Sequence, residues 1–285
     1  MFGAVLSFVG MAIAARELSV ELTALQILFW RSFVGALLMP LLLSYYGWAQ
    51  VKSSRYKMQV SRGALHCLAQ YGWLFGITMI PLAEVFALEF TTPIWTLLLA
   101  SFFLNEKFSL QRLASVGFGF VGVLLILRPG VDVIDTASIV VLGSAGLYAI
   151  TYVMVKSLAR TDTPLCIMFY MTYVQLVLSF FAILTNWGTP NFDLWIWVIL
   201  VGAFGLSAHF CMAEALSRSE ASVVIPIDFL RLPIIMVLGY LLYSENLDPW
   251  LLAGVSLIVF GNYWNIRYVP ANGATSPSKE DRDRK

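Results

Sequence analysis

A few ionisable side chains stand inside otherwise apolar stretches, and their types bound the chemistry open to the chain: Glu89, Asp228, Arg231, His66 and His209. Glu89 has Thr92 and Thr96 at i+3 and i+7, along one face of a helix. Asp228 has Arg231 at i+3. Two carboxylates held together could bind a cationic group or take up a proton. Arg231 could hold a substrate carboxylate through two parallel hydrogen bonds, or it could simply neutralise Asp228 along one helix. His66, Gln70 and Trp73 recur at i, i+4 and i+7. Histidine titrates near neutral pH and could relay a proton, although a buried imidazole also serves as a plain hydrogen-bonder. Tyr148, Thr151 and Tyr152 make a third stripe, either a wall that orients and stacks a substrate or ordinary packing. There is no P-loop, nucleophile elbow or two-histidine metal motif. No catalytic residue, metal or cofactor is expected.

Composition says which elements must hold these groups. Of 285 residues, 59% are hydrophobic and 12% charged, where a soluble domain carries roughly 25% charge. That much apolar surface needs lipid as its solvent, and nine Trp, twelve Tyr and twenty Phe suit the bilayer interface. A charged side chain at bilayer depth costs about 2.5–3.5 kcal/mol on insertion scales, so each group above needs a partner or a task. Ten apolar runs are long enough to be spans: 1–15, 23–46, 63–80, 83–104, 110–128, 137–156, 164–185, 193–214, 220–243 and 249–267. The first is short and lacks the basic segment of a signal peptide, so a start codon further upstream accounts for it better than a cleaved leader. Pro93, Pro226 and Pro233 fall inside the fourth and ninth runs, where proline frees a carbonyl and kinks the helix; they are candidate hinges. Arg31, within the second run, either snorkels, pairs with Glu17 or Glu21, or serves transport. Residues 270–285 are polar and expected to be a disordered tail.

Several features carry less than they suggest. A net charge of +1 gives no case for nucleic acid. Cys67, Cys166 and Cys211 lie in apolar stretches and read as packing residues. Gly117, Gly119 and Gly122 satisfy GxGxxG, but inside a span, where glycines let helices pack closely; nucleotide binding is discounted.

Loop cations set the orientation. With the N-terminus inside, inner segments hold Lys52, Arg55, Lys57, Arg62, Lys107, Arg112, Lys156, Arg160, Arg218, Arg267 and the four basic residues of the tail, while outer segments hold only Arg16 and Arg128. Both termini are therefore expected in the cytoplasm. A shift of 139 residues brings the halves into register: Gln70 falls on His209, Glu89 on Asp228, Thr92 on Arg231, Glu106 on Glu245 and Gly122 on Gly261. Each copy holds five spans, and an odd number inserts the second copy upside down. Inverted repeats characterise secondary transporters with a substrate site near the midplane.

The run Phe29-Trp30-Arg31-Ser32, the segment from Pro93 through Leu104-Asn105-Glu106 to Leu127-Arg128-Pro129-Gly130, and Ala221 to Pro226 with Arg231 and Glu245 resemble the drug/metabolite transporter superfamily, EamA type. The resemblance implies an all-α integral membrane protein of ten helices in two inverted five-helix repeats, 1–130 and 131–269, around a cavity lined by spans 1, 3, 4, 6, 8 and 9. It implies transport of amino acids, nucleoside-like compounds, S-adenosylmethionine, riboflavin or toxic cations. The expected function is alternating-access transport of a small cationic or zwitterionic metabolite across the inner membrane, with proton coupling open. The substrate-binding candidates are His66, Gln70, Trp73, Glu89, Thr92, Tyr148, Tyr152, His209, Asp228 and Arg231. Export of drug-like compounds and a membrane-embedded enzyme are the alternatives. The partners expected are a small molecule and lipid, with the chain a monomer or homodimer.

Overall fold

The structure, a computed structural model, describes residues 1–92, 94–96, 99, 110–128, 135–218, 228 and 230–268. The described residues form ten α-helices and no strand: α1 Phe2–Leu18, α2 Ala24–Tyr46, α3 Tyr56–Met79, α4 Leu82–Glu89, α5 Leu110–Leu127, α6 Thr136–Leu158, α7 Pro164–Ile183, α8 Trp195–Arg218, α9 Arg231–Tyr243 and α10 Pro249–Tyr268. Local chemistry fixes several starts. Thr23 and Gln26 make a reciprocal capping box before α2. Asp135 accepts from the Ala137 amide ahead of α6. Thr163 caps α7, whose first residue is Pro164. Among the described residues, four stretches, Ala24–Tyr46, Thr136–Val155, Pro164–Ile183 and Phe192–Ala215, are by length and apolarity alone able to cross a membrane. Leu6, Leu37, Leu41, Phe181, Ile199 and Leu241 stand exposed on helix surfaces, as lipid-facing side chains do.

Two sequence expectations need correction. The run 83–104 is not one uninterrupted helix: α4 ends at Glu89 and the chain turns at Phe90 and Thr91 before helical residues resume. Proline at position 93 has no N–H to offer the Glu89 carbonyl four residues back, and the Thr92 hydroxyl donates to that carbonyl instead at 2.6 Å. Asn262 Nδ2 donates to the Phe90 carbonyl at 2.8 Å. Arg62, counted above as a loop cation, lies inside α3, which begins at Tyr56. It is buried against α7, donating to the Ile167 carbonyl at 3.2 Å. Of the proposed hinges, Pro93 and Pro226 lie outside the described residues. Pro233 is the third residue of α9 and faces outward; a first-turn amide has no acceptor within its own helix, so proline is well tolerated there.

The helices pack in the pairs α1 with α8, α3 with α6, α2 with α7, α3 with α7, α2 with α8, α4 with α9, and α5 with α10. The α5–α10 crossing is set by glycines. A Cβ on Gly122 would stand 2.7 Å from the Gly254 carbonyl, and one on Gly254 would stand 2.6 Å from the Gly122 carbonyl. Backbone cannot move aside as a side-chain tip can, so Gly122→Leu should force the helices apart at a cost of about 3 kcal/mol, the upper part of the usual range for overpacking. Loss of the monodisperse folded species by size-exclusion chromatography is the expected readout.

The first turn of α3 and the segment before it are stapled to the turn before α7. Ser53 Oγ donates to Asp162 Oδ2 at 2.5 Å and Gln59 Nε2 donates to the same oxygen at 2.6 Å. Burial alone would raise the Asp162 pKa, but these bonds, a third from Thr161 and the charge of Arg55 hold it below the ordinary 3.8. A carboxyl depressed in the folded state adds stability above about pH 4 and loses it as pH falls through the lower folded value. Asp162→Asn should therefore lower the unfolding temperature at neutral pH, by an amount equivalent to about 1–3 kcal/mol. That gap from the wild type should close below about pH 4.

Candidate functional site

Near the break in α4, Arg231 bridges the acids of both halves. Its Nη2 donates to Asp228 Oδ2 at 2.6 Å, and its guanidinium lies 3.5 Å from Glu89 Oε1. The other Glu89 oxygen accepts from Trp73 Nε1 at 2.9 Å. Three phenyl rings box the guanidinium, with centroids at 4.5 Å for Phe8, 5.1 Å for Phe90 and 5.7 Å for Phe86. Asp228 Oδ1 is buried and has no partner among the described residues. Two carboxylates against one guanidinium leave an excess negative charge in a desolvated place, which favours a bound cationic group or a proton. Arg231 meets both acids through its Nη atoms, while its buried Nε has no partner among the described residues. The mutual neutralisation foreseen for Asp228 and Arg231 is present, but only as part of this triad.

Beside the triad runs a row of rings. His209 meets Phe8 edge-on at 5.4 Å and His66 at 5.3 Å, and His66 meets Tyr148 at 5.4 Å. His66 and Gln70 are buried, and both His66 nitrogens, Gln70 Nε2 and His209 Nε2 lack hydrogen-bond partners among the described residues. Tyr152 is 46% exposed and interacts electrostatically with Glu89, Asp228 and Arg231, which places it beside the triad. Thr92 does not offer its hydroxyl to the triad, since the Glu89 carbonyl takes it. The structure thus brings together His66, Gln70, Trp73, Glu89, Tyr148, Tyr152, His209, Asp228 and Arg231. Six helices supply the groups around them: α1, α3, α4, α6, α8 and α9. Among the described residues, no three His, Cys, Asp or Glu converge as metal donors.

Residues not singled out from the sequence complete the site. Phe8, Phe86 and Phe90 carried no signal, because an apolar ring in an apolar helix is indistinguishable from packing. Arg62 did carry one: with His66, Gln70 and Trp73 it extends the same polar face of α3 by one turn. Arg31 does not pair with Glu17 or Glu21. Glu17 accepts from Tyr243 at 2.7 Å and Glu21 from Asn191 at 2.6 Å, while Arg31 turns inward and donates to Gln175 Oε1 at 3.2 Å.

A bundle with exposed leucine and phenylalanine outside and ionisable clusters within defines a multi-pass membrane protein built around a polar interior. The chain belongs to the EamA-like transporter family, whose model matches it twice, over residues 1–128 and 135–267. It is similar to the riboflavin transporter of Brucella anthropi, 29% identical over 249 residues, covering 85% of this chain and 87% of that one. It is also similar to the S-adenosylmethionine uptake transporter of Rickettsia bellii, 26% identical over 247 residues, covering 87% and 85%. A crystal structure at 15% identity superposes with a TM-score of 0.68 over 93% of both chains, a likeness of fold alone. Family and relatives point to a transporter of small metabolites rather than an enzyme.

Proposed function

We propose that the chain is a secondary transporter that moves a small cationic or zwitterionic metabolite across the inner membrane by alternating access, with proton coupling through Glu89 and Asp228. The observation that carries this reading is the convergence of two acids 139 positions apart on one guanidinium. Acids at equivalent places in two copies meet in this way when an axis relates the copies. The packing pairs support two inverted five-helix units, 1–130 and 131–269. Exchanging the halves turns α1–α8 into α3–α6 and α3–α7 into α2–α8, and returns α2–α7, α4–α9 and α5–α10 to themselves. Two copies that can swap conformations supply two states of similar energy, open to opposite sides. The loop cations favour both termini in the cytoplasm.

Riboflavin and S-adenosylmethionine, named for the relatives, both join a planar heterocycle to a polar chain. The rings of Trp73, Tyr148, Tyr152, His66 and His209 suit stacking on such a plane, and the excess negative charge of the triad favours the cationic compound. Flux into proteoliposomes tests the proposal. Saturable uptake that counter-flow accelerates is the expected result. Flux linear in concentration would mean a channel, and release of a chemically altered product would mean an enzyme.

A further inference from the structure

Among the described residues, two guanidinium groups in the interior have no carboxylate. Arg31 on α2 and Arg62 on α3 are 5% and 6% exposed, and their partners are neutral: Gln175 Oε1 for Arg31, and the Ile167 carbonyl and Met171 Sδ for Arg62. Among the described residues the Nε of each is buried without a partner, as are both His66 nitrogens, Gln70 Nε2, Gln175 Nε2 and His209 Nε2. Both guanidiniums interact electrostatically with both imidazoles. They flank Met171 on α7, which also borders a small cavity beside Arg31 with Ser32, Thr172, Gln175 and Gly205. Glycine at 205 makes this room, since a Cβ there would stand 2.6 Å from Arg31 Nε.

Buried charge persists where it is paired, and buried donors where they are satisfied. Here two positive charges and the unpartnered side-chain nitrogens of two imidazoles and two amides come together, with only neutral acceptors among the described residues. We infer that Arg31, Arg62 and the donors around His66 form a binding site for an anionic group, a carboxylate carried by the transported molecule. The site is separate from the triad, yet close to it. The ring of His209 touches His66 on one side and Phe8 on the other, and Phe8 lies under Arg231. The interior is thus polarised, with excess negative charge at Glu89 and Asp228 and excess positive charge at Arg31 and Arg62. A zwitterion spans such a pair of poles, its cationic group toward the acids and its carboxylate between the arginines. This deepens the transport reading by choosing between the cationic and zwitterionic classes and by giving the molecule a direction. The anion site itself does not depend on transport.

The test uses the full chain in nanodiscs with sodium formate, the smallest carboxylate, as probe and sodium chloride as the competing inorganic anion. Thermal unfolding of the wild type should shift upward and saturate with formate. R31Q and R62Q should each raise the half-saturating concentration roughly tenfold, the loss of one charge-assisted hydrogen bond. R31K and R62K, which keep the charge, should fall between, and they carry the measurement if either glutamine variant does not fold. Equal curves for wild type and all four variants would overturn the site. Chloride acting at the same concentration as formate would overturn the carboxylate assignment in favour of a free inorganic anion. Formate binding without any saturable flux would refute the transport reading and leave the anion site standing. Saturable flux without formate binding would do the reverse.

Discussion

Glu89→Gln should lower the affinity for a cationic or zwitterionic substrate about a hundredfold and remove the dependence of uptake on a proton gradient, with the unfolding temperature nearly unchanged. The substitution keeps volume, and the amide oxygen can still accept from Trp73 Nε1. It removes the charge that is in excess, leaving Arg231 and Asp228 as a neutral pair at 2.6 Å. One charge acting over about 4 Å at an effective dielectric near 20 amounts to about 4 kcal/mol. Residual exposure of the Glu89 side chain, 14%, screens part of this, which brings the expected loss to about two orders of magnitude. Asp228→Asn should lose transport to a similar extent but cost more stability, because it removes the shorter of the two bonds to Arg231. Initial rates in proteoliposomes across about pH 5–8 and substrate binding in detergent separate the two effects. Normal transport by both variants over that range would strip the acid pair of any role in the mechanism.

How much of this was legible in the sequence depended on whether a residue contrasts with its surroundings. Glu89, Asp228, Arg231, His66 and His209 stand out as ionisable groups in apolar runs, and the structure gathers them. Most helix positions followed from runs of about 20 apolar residues, since the bilayer sets length directly. What escaped is what lacks contrast or depends on tertiary partners. The phenyl cage around Arg231 is written in the same letters as any lipid-facing helix. The start of α3 at Tyr56 was hidden because Lys57, Gln59 and Arg62 look like a loop, although Gln59 and Arg62 are buried against their neighbours. The break after Glu89 could be anticipated from Pro93, but not its relief by Asn262, some 170 residues further along. The roles proposed for Arg31 and Arg62 turn on the absence of an acid nearby among the described residues, and an absence in space cannot be seen along a chain.

The second large effect is expected at Glu245, which fastens one end of the bundle. Its Oε1 accepts from the Leu82 amide at 2.8 Å and from Arg16 at 3.1 Å, and Oε2 lies 3.5 Å from the Ala83 amide. A carboxylate from the second half thus caps the N-terminus of α4 in the first, where the helix dipole favours negative charge. The side chains of Arg16 and Glu245 are only 18% and 8% exposed. At the same end Tyr243 binds Glu17, Ser138 binds Glu84, and Arg128 binds Asp248. All these contacts cross from one half to the other, so opening this end must break them. Removing one partner of a desolvated pair costs about 3–5 kcal/mol because the other charge is left stranded. In a two-state carrier, about 3 kcal/mol lost from the state closed at this end shifts the populations about a hundredfold toward the open one. Leu82 is fully buried under the contact, and Cys67, Cys166 and Cys211 can be replaced to leave L82C as the sole thiol. Adding Glu245→Ala to that chain should speed maleimide labelling from the outside at least tenfold and slow uptake in proportion to the trapped population. If the unfolding temperature falls while the labelling rate stays the same, Glu245 is a helix cap alone, and the closure of this end is held elsewhere.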